Sequence, residues 1–201
     1  CYIPLDGLRE IGEYAFHSCS SLTVLSLGEE LLSVGIGAFE GCDGLRRMTL
    51  PFIGGGSEEN AYLGYIFGAA VPEFSRGYYP EELSEILLLD GCRVLGTDAF
   101  YECLSLASVR ISANTECIGA RAFYGCVNLR AIDLPGTLTE IGDNAFAYCY
   151  YLESLTFGES NAPLQIGINA FSFCRSLREL ELPDRLAAIP ASCFASCDAL
   201  E

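Results

Sequence analysis

Eleven cysteines and one histidine are the groups in this 201-residue chain best suited to chemistry at neutral pH. A cysteine can act as nucleophile, metal ligand or disulfide partner, and His17-Ser18-Cys19 sets a thiol beside an imidazole. A catalytic pair needs hydrogen-bond reach and a third group that orients the base. A structural zinc needs its sulfur ligands about 2.3 Å from one tetrahedral centre, and no Cys-x-x-Cys is present. The acid pairs Glu29-Glu30, Glu58-Glu59 and Glu81-Glu82 lack the alternating aspartates and glycine of a calcium loop and read as solvated turn carboxylates. Gly54-Gly55-Gly56 has no following Lys-Ser or Lys-Thr, so it reads as a flexible turn rather than a phosphate cradle.

Spacing decides among these possibilities. An Ala-Phe pair recurs at Phe16, Phe39, Phe100, Phe123, Phe146 and Phe171, and Phe194 follows Cys193 in the same phase. Three residues after each Phe stands Cys19, Cys42, Cys103, Cys126, Cys149, Cys174 or Cys197. Six after stands a leucine, from Leu22 to Leu200, and five before stands an aliphatic residue followed by Gly, except at Ile189-Pro190. Alternating apolar pairs such as Leu25/Leu27 and Ile132/Leu134 lie nine and eleven residues after the Phe. Seven thiols spread one per repeat along an axis cannot converge on one metal or share one nucleophilic role. They read as a buried ladder, because a core cysteine behaves as a small apolar group.

The remaining thiols are Cys1, Cys92, Cys117 and Cys193. Cys193 replaces a small Ala and reads as packing. Cys92 and Cys117 fall on adjacent repeats, where a disulfide is geometrically conceivable. The His17 position holds Glu40, Tyr101, Tyr124, Ala147, Ser172 and Ala195 in the other repeats, which marks a variable, solvent-facing site. No catalytic residue, metal site or cofactor is expected.

The elements that position these columns follow from the period. Successive Phe separations are 23, 61, 23, 23, 25 and 23. Within the long gap, Leu83, Ile86 and Leu88 keep phase with a missing Phe at position 77, so a degenerate coil lies there with 15 extra residues, mostly within 51–79. A unit of this length cannot bury its own apolar face, so neighbouring coils must stack into one continuous core. The alternating pairs predict a short parallel strand per coil. Residues around Ile-Gly predict a second short strand, and Phe and Cys at i, i+3 predict one helical turn.

The run from Leu138 through Ile141-Gly142 to Ala145-Phe146, repeated over essentially the whole chain, resembles the BspA-type leucine-rich repeats of bacterial surface proteins, also called the Treponema-type class. The expected fold is an α/β repeat: a right-handed leucine-rich repeat solenoid with short parallel strands and single helical turns per 23-residue coil. It forms a single unit over 1–201, with a degenerate coil and insertion at 51–90. The resemblance implies a cell-surface or secreted location and, in some members, adhesion to host matrix proteins or other bacterial surface proteins. The chain opens on Cys1 rather than Met and shows no capping segment, so it reads as a piece of a longer protein. Its uncapped coil ends are a possible route to self-association.

Composition narrows the partners. With 27 acids against 11 bases the net charge is -16, which speaks against nucleic acid, whose phosphates require clustered cations. No apolar run is long enough to span a membrane. A protein partner is expected, with a passive spacer projecting another domain as the alternative. On the strand face Arg47, Arg110, Asp133 and Glu181 point outward, and Arg110 and Asp133 are placed to pair with each other. That face carries no aromatic ladder. The insert is richer: Tyr62, Tyr65, Phe67, Phe74, Tyr78 and Tyr79 either anchor a partner or pack back where the Phe column is missing.

Overall fold

The computed structural model describes residues 2–5, 7–56 and 61–201; Cys1 and the Glu58-Glu59 pair lie outside them. The alternating apolar segments form short strands, except that of Leu180 and Leu182, which keeps only an isolated bridge from Glu179 to Ser154, and stacking joins seven strands into one parallel sheet. In chain order these are Tyr2–Leu5, Val24–Leu27, Arg47–Leu50, Glu85–Leu88, Ser108–Arg110, Ala131–Leu134 and Ser154–Phe157. Register repeats by one coil, so that Ile132 lies beside Leu155 and Leu134 beside Phe157. The alternation puts Leu25, Leu27, Met48, Leu50, Ile86 and Leu88 inside, as a strand with one buried face requires. Arg47–Leu50 pairs directly with Glu85–Leu88, so everything between them belongs to a single long coil.

The Ile-Gly segments supply the expected second strands, each two residues long. Glu10–Ile11 pairs with Ser33–Val34, and Val94–Leu95, Cys117–Ile118, Glu140–Ile141 and Gln165–Ile166 form a second parallel set. Between the sets, Gly55 stands in for the missing strand, its carbonyl accepting the Val34 N–H at 2.9 Å.

The Ala-Phe-x-x-Cys segment is a run of tight turns rather than a regular helix. In one coil the N–H groups of Ala38, Glu40 and Cys42 donate to the carbonyls of Gly35, Gly37 and Phe39, three residues back each time. Left-handed residues flank the Phe, as at Gly37 (φ 62) and Gly41 (φ 71), and this interrupts helical propagation. The turns instead bond from coil to coil: Phe123 N–H to the Ala145 carbonyl at 2.7 Å, Phe146 N–H to the Ala170 carbonyl at 2.7 Å.

The Phe column is a stack. Ring centroids lie 4.9 Å apart for Phe100–Phe123 and Phe123–Phe146, and 5.2 Å apart for Phe146–Phe171. The thiols run beside it and do more than fill space. Cys126, Cys149 and Cys174 donate S–H to the carbonyls of Phe100, Phe123 and Phe146 at 3.2, 3.2 and 3.3 Å. Each of these three thiols therefore ties its coil to the preceding one, adding a second hydrogen bond to a carbonyl that already accepts a backbone N–H, as Phe123 does from Cys126 at 3.1 Å.

The long coil departs from simple phase counting. Phe67, not position 77, fills the Phe column; it is only 1% exposed, and the neighbouring Ile66 carbonyl accepts the Phe39 N–H at 2.8 Å. Position 77 is an exposed glycine at the end of a 3-10 turn. Phase counting backward from Leu83 fails because the extra residues fall on both sides. Phe39 to Phe67 spans 28 residues instead of 23, and Phe67 to Leu83 spans 16 instead of six. The 3-10 turn Leu63–Phe67 plugs the core, whereas the second, Pro72–Gly77, buries only Ser75.

Candidate interaction surfaces

The thiols are placed for packing. Cys42, Cys92, Cys103, Cys126, Cys149, Cys174 and Cys193 are buried and unbonded to other sulfurs. Burial pushes the Cys103 and Cys92 thiols up to about 12 and Cys42 and Cys193 to about 11, because a thiolate would lose its hydration. Two members depart from the expected buried ladder: Cys19 is exposed and Cys197 is half-buried. Five of the counterparts of Cys19 donate to the Phe carbonyl of a preceding coil, and no described Phe precedes Phe16. Cys92 and Cys117 do not bond to each other: Cys92 lies in the core, while Cys117 sits half-buried on a strand beside Val94. Among the described residues no three His, Cys, Asp or Glu side chains gather as a metal site.

His17 is exposed, with Nδ1 2.9 Å from the Ser18 hydroxyl and its ring edge-on to Tyr14. Neither neighbour is a carboxylate that could orient it as a base.

This arrangement sets an order of reactivity. Under native conditions at mildly alkaline pH, alkylation followed by mass spectrometry is expected to label Cys19 first and to spare Cys103, Cys126 and Cys149 until denaturant is added. The same burial makes stability pH-dependent. Unfolded thiols lose protons near pH 9 while the folded ones hold theirs to about 11 or 12. Across that window the unfolded state binds fewer protons, so stability falls as pH rises. The denaturation midpoint is expected to drop steadily above pH 9 and to be flat with respect to these groups below it.

The strand face is internally paired. Arg47 Nε lies 2.7 Å from Glu85, and Arg130 pairs with Glu153 at 2.9 Å. Asp133 accepts the Thr156 hydroxyl at 2.5 Å and not a bond from Arg110, which forms no ion pair among the described residues. Glu181 is exposed. On the other side, an open groove of about 500 Å³ follows the second strands from Val94 to Ile166, and Gly96, Gly119, Gly142 and Gly167 of the glycine column are among its lining residues.

The insert divides its aromatic residues between two roles. Tyr62 and Phe67 are 6% and 1% exposed and cannot reach a partner. The Tyr62 hydroxyl donates to the Ala69 carbonyl at 3.0 Å. Tyr79 packs edge-on to Phe67 and donates to the Tyr101 carbonyl at 3.2 Å. Tyr65 is half-buried. Tyr78 is 43% exposed, and with it stand Val71 at 40% and Phe74 at 66%. These three lie on and beside the Pro72–Gly77 turn, at spacings that put Val71 and Phe74 on one side. Arg121 holds the turn in place, 3.7 Å from Glu73 on the insert and 2.7 Å from buried Asp98 on the next coil.

Beside that tether begins a second aromatic feature, which sequence columns did not reveal. Tyr101, Tyr124, Tyr148 and Phe173 form an outer ladder with centroid separations of 5.2, 5.1 and 4.6 Å. Arg121 lies over the Tyr101 ring, and Arg175 lies over Tyr150 and Phe173. Tyr101 and Tyr124 stand one residue after their core Phe; Tyr148 and Phe173 stand two after. The shift between columns hides the ladder from a search at fixed phase. The legible signal was the pair of aromatics at a position filled by Gly41 and Gly125 in other coils.

A family model described as BspA type leucine rich repeat region matches in six copies over residues 2–59 and 75–201. The solved leucine-rich repeat protein of T. pallidum is similar over 94% of this chain and 86% of its own, at 25% identity and a TM-score of 0.56. A solved leucine-rich repeat protein from Eubacterium ventriosum is similar over 99% of this chain and 76% of its own, at 17% identity and a TM-score of 0.50. No curated protein matches.

Proposed function

The chain belongs to the BspA-type leucine-rich repeat family, and on that premise we propose that it is a non-catalytic, protein-binding repeat module of the adhesion type, acting at the cell surface or in secreted form. The observation that carries this reading is the exposed apolar edge Val71, Phe74 and Tyr78. An insert needed only to fill the core would end near Phe67. The additional turn presents large apolar side chains to solvent, Phe74 most of all at 66% exposure, where it adds little to packing, and large exposed side chains of this kind supply much of the energy of protein contacts. The charge and the family resemblance fit a host matrix protein or another bacterial surface protein as partner. No helix among the described residues is long and apolar enough to cross a membrane.

The second reading, a passive spacer, draws on the uninterrupted coil-to-coil bonding of the solenoid. A binding screen of the chain against matrix and bacterial surface proteins separates the two. Phe74→Asp is expected to weaken capture of a partner about 30-fold, the effect of losing one anchor residue of ~2 kcal/mol. Its thermal stability should stay near that of the parent, because Phe74 is already largely in water. Capture of nothing, or capture indifferent to Phe74→Asp and Tyr78→Asp, would favour the spacer.

A further inference from the structure

Two kinds of tyrosine occur in this chain. Tyr62 and Tyr79, which fill the core of the insert, have their hydroxyls bonded to backbone carbonyls. Tyr101, Tyr124 and Tyr148 are half-buried, and their hydroxyls bond to none of the described residues. Tyr101 stacks on Tyr124 and Tyr148 on Phe173, while Tyr124 and Tyr148 meet at a 59° tilt, so ring contacts on one or both sides order their edges and hydroxyls for contact. Rigid amphipathic rings of this kind give contact area at low entropic cost.

Backbone conformation adds a second observation. Tyr148 and Phe173 sit at φ 63 and 61, where an aromatic side chain is sterically costly and glycine is not. Gly41 and Gly125 occupy the equivalent place in other coils at φ 71 and 70. Ser18, Glu102 and Ser196 hold the same place at φ 62, 50 and 57, so the left-handed turn belongs to the repeat, and Tyr148 and Phe173 use it to extend the ladder by two rungs.

Charge points to the partner. The arginines along this strip each pair with a carboxylate of the chain itself: Arg76 with Glu102, Arg121 with Asp98 and Glu73, and Arg175 with Asp198. Among the described residues no unpaired arginine stands there to repel a positive ligand, and the chain as a whole carries -16. We propose that the Tyr101–Tyr124–Tyr148–Phe173 ladder is the seat of a basic, extended polypeptide segment of the partner, lying along the solenoid axis with the insert at one end. The three separations span about 15 Å, room for roughly four or five extended residues.

This inference rests on the protein-binding reading and is tested apart from it. Fluorescence anisotropy of the full chain with labelled basic, neutral and acidic peptides of equal length should show binding of the basic peptide, weakened by salt. Tyr124→Ala and Tyr148→Gly should each reduce that affinity about tenfold. The glycine variant removes the ring while suiting the left-handed backbone, so its fold is retained. Tyr14→Ala, an exposed ring outside the ladder, should leave binding unchanged. Equal binding by the ladder variants would reduce the effect to general charge attraction and overturn the inference. Preference for the neutral or acidic peptide would also overturn it. In either case, capture of a whole protein that is lost in Phe74→Asp would leave the protein-binding reading standing.

Discussion

Phe146→Ala is expected to destabilise the chain by about 3–5 kcal/mol, the cost of truncating a buried aromatic whose site cannot collapse. Phe146 is buried and stacked on both sides, against Phe123 at 4.9 Å and Phe171 at 5.2 Å. Alanine would lose both ring contacts and leave a void bounded by coils that are fixed by their own backbone bonds. The Phe146 carbonyl would still accept from the Cys174 thiol, so the loss reports the ring alone. Phe16 is half-buried and stacks on Phe39 alone, at 5.3 Å, and Phe16→Ala should cost clearly less. In a solenoid whose stability is summed over coils and their interfaces, a mid-array defect weakens two interfaces at once. Urea denaturation of both variants checks this. A loss below about 1 kcal/mol for Phe146→Ala would show that the stack is incidental to stability.

The same columns explain how much of the fold was legible. Strand position, strand register and the core Phe ladder follow from period alone, because equal coils must superimpose for their apolar faces to meet. The second strands at Ile-Gly followed for the same reason. What period could not give was the path through the long coil. Leu83, Ile86 and Leu88 re-establish phase only after the insert, so they date the end of the interruption and not the place of the substitute Phe. Phe67 enters the column from a 3-10 turn one residue tighter than its neighbours, with the Tyr65 and Ile66 carbonyls accepting from Gly37 and Phe39.

The surfaces were less legible than the core, for a physical reason. Core positions are constrained by neighbours above and below, so their residue types repeat. Surface positions are constrained only by solubility and by any partner, so the repeat leaves them free to vary. Tyr62 and Phe67 had the composition of interface anchors but serve the core, while Phe74 and Val71 carry the exposed edge. The ladder of Tyr101, Tyr124, Tyr148 and Phe173 crosses between two columns. Only a three-dimensional path joins its rungs.

The close spacing of coils yields the sharpest contrast between two variants. Gly142→Ala is expected to cost about 3 kcal/mol or more, at or beyond the upper end for overpacking, and Gly12→Ala to be neutral or slightly stabilising. Both glycines follow an isoleucine in the same column of the repeat. A methyl group on Gly142 would lie 2.4 Å from the Ala120 nitrogen, in the backbone of the preceding coil, whereas one on Gly12 would meet nothing within 4 Å. Neither requires a left-handed backbone, so space and not conformation separates them. Gly142 also donates its N–H to the Ile118 carbonyl at 2.7 Å, and a methyl that pushes the coils apart would strain that bond as well. At Gly12 the added methyl restricts only the unfolded chain, an effect worth up to about 1 kcal/mol in favour of the variant. Denaturation of the two proteins side by side reads the difference directly. Equal stability would mean that the coil spacing is set elsewhere, by the strand bonds and the Phe stack. A large gap would show that the glycine column sets how closely the coils approach, and hence the pitch of every ladder on the surface, the outer aromatic one included.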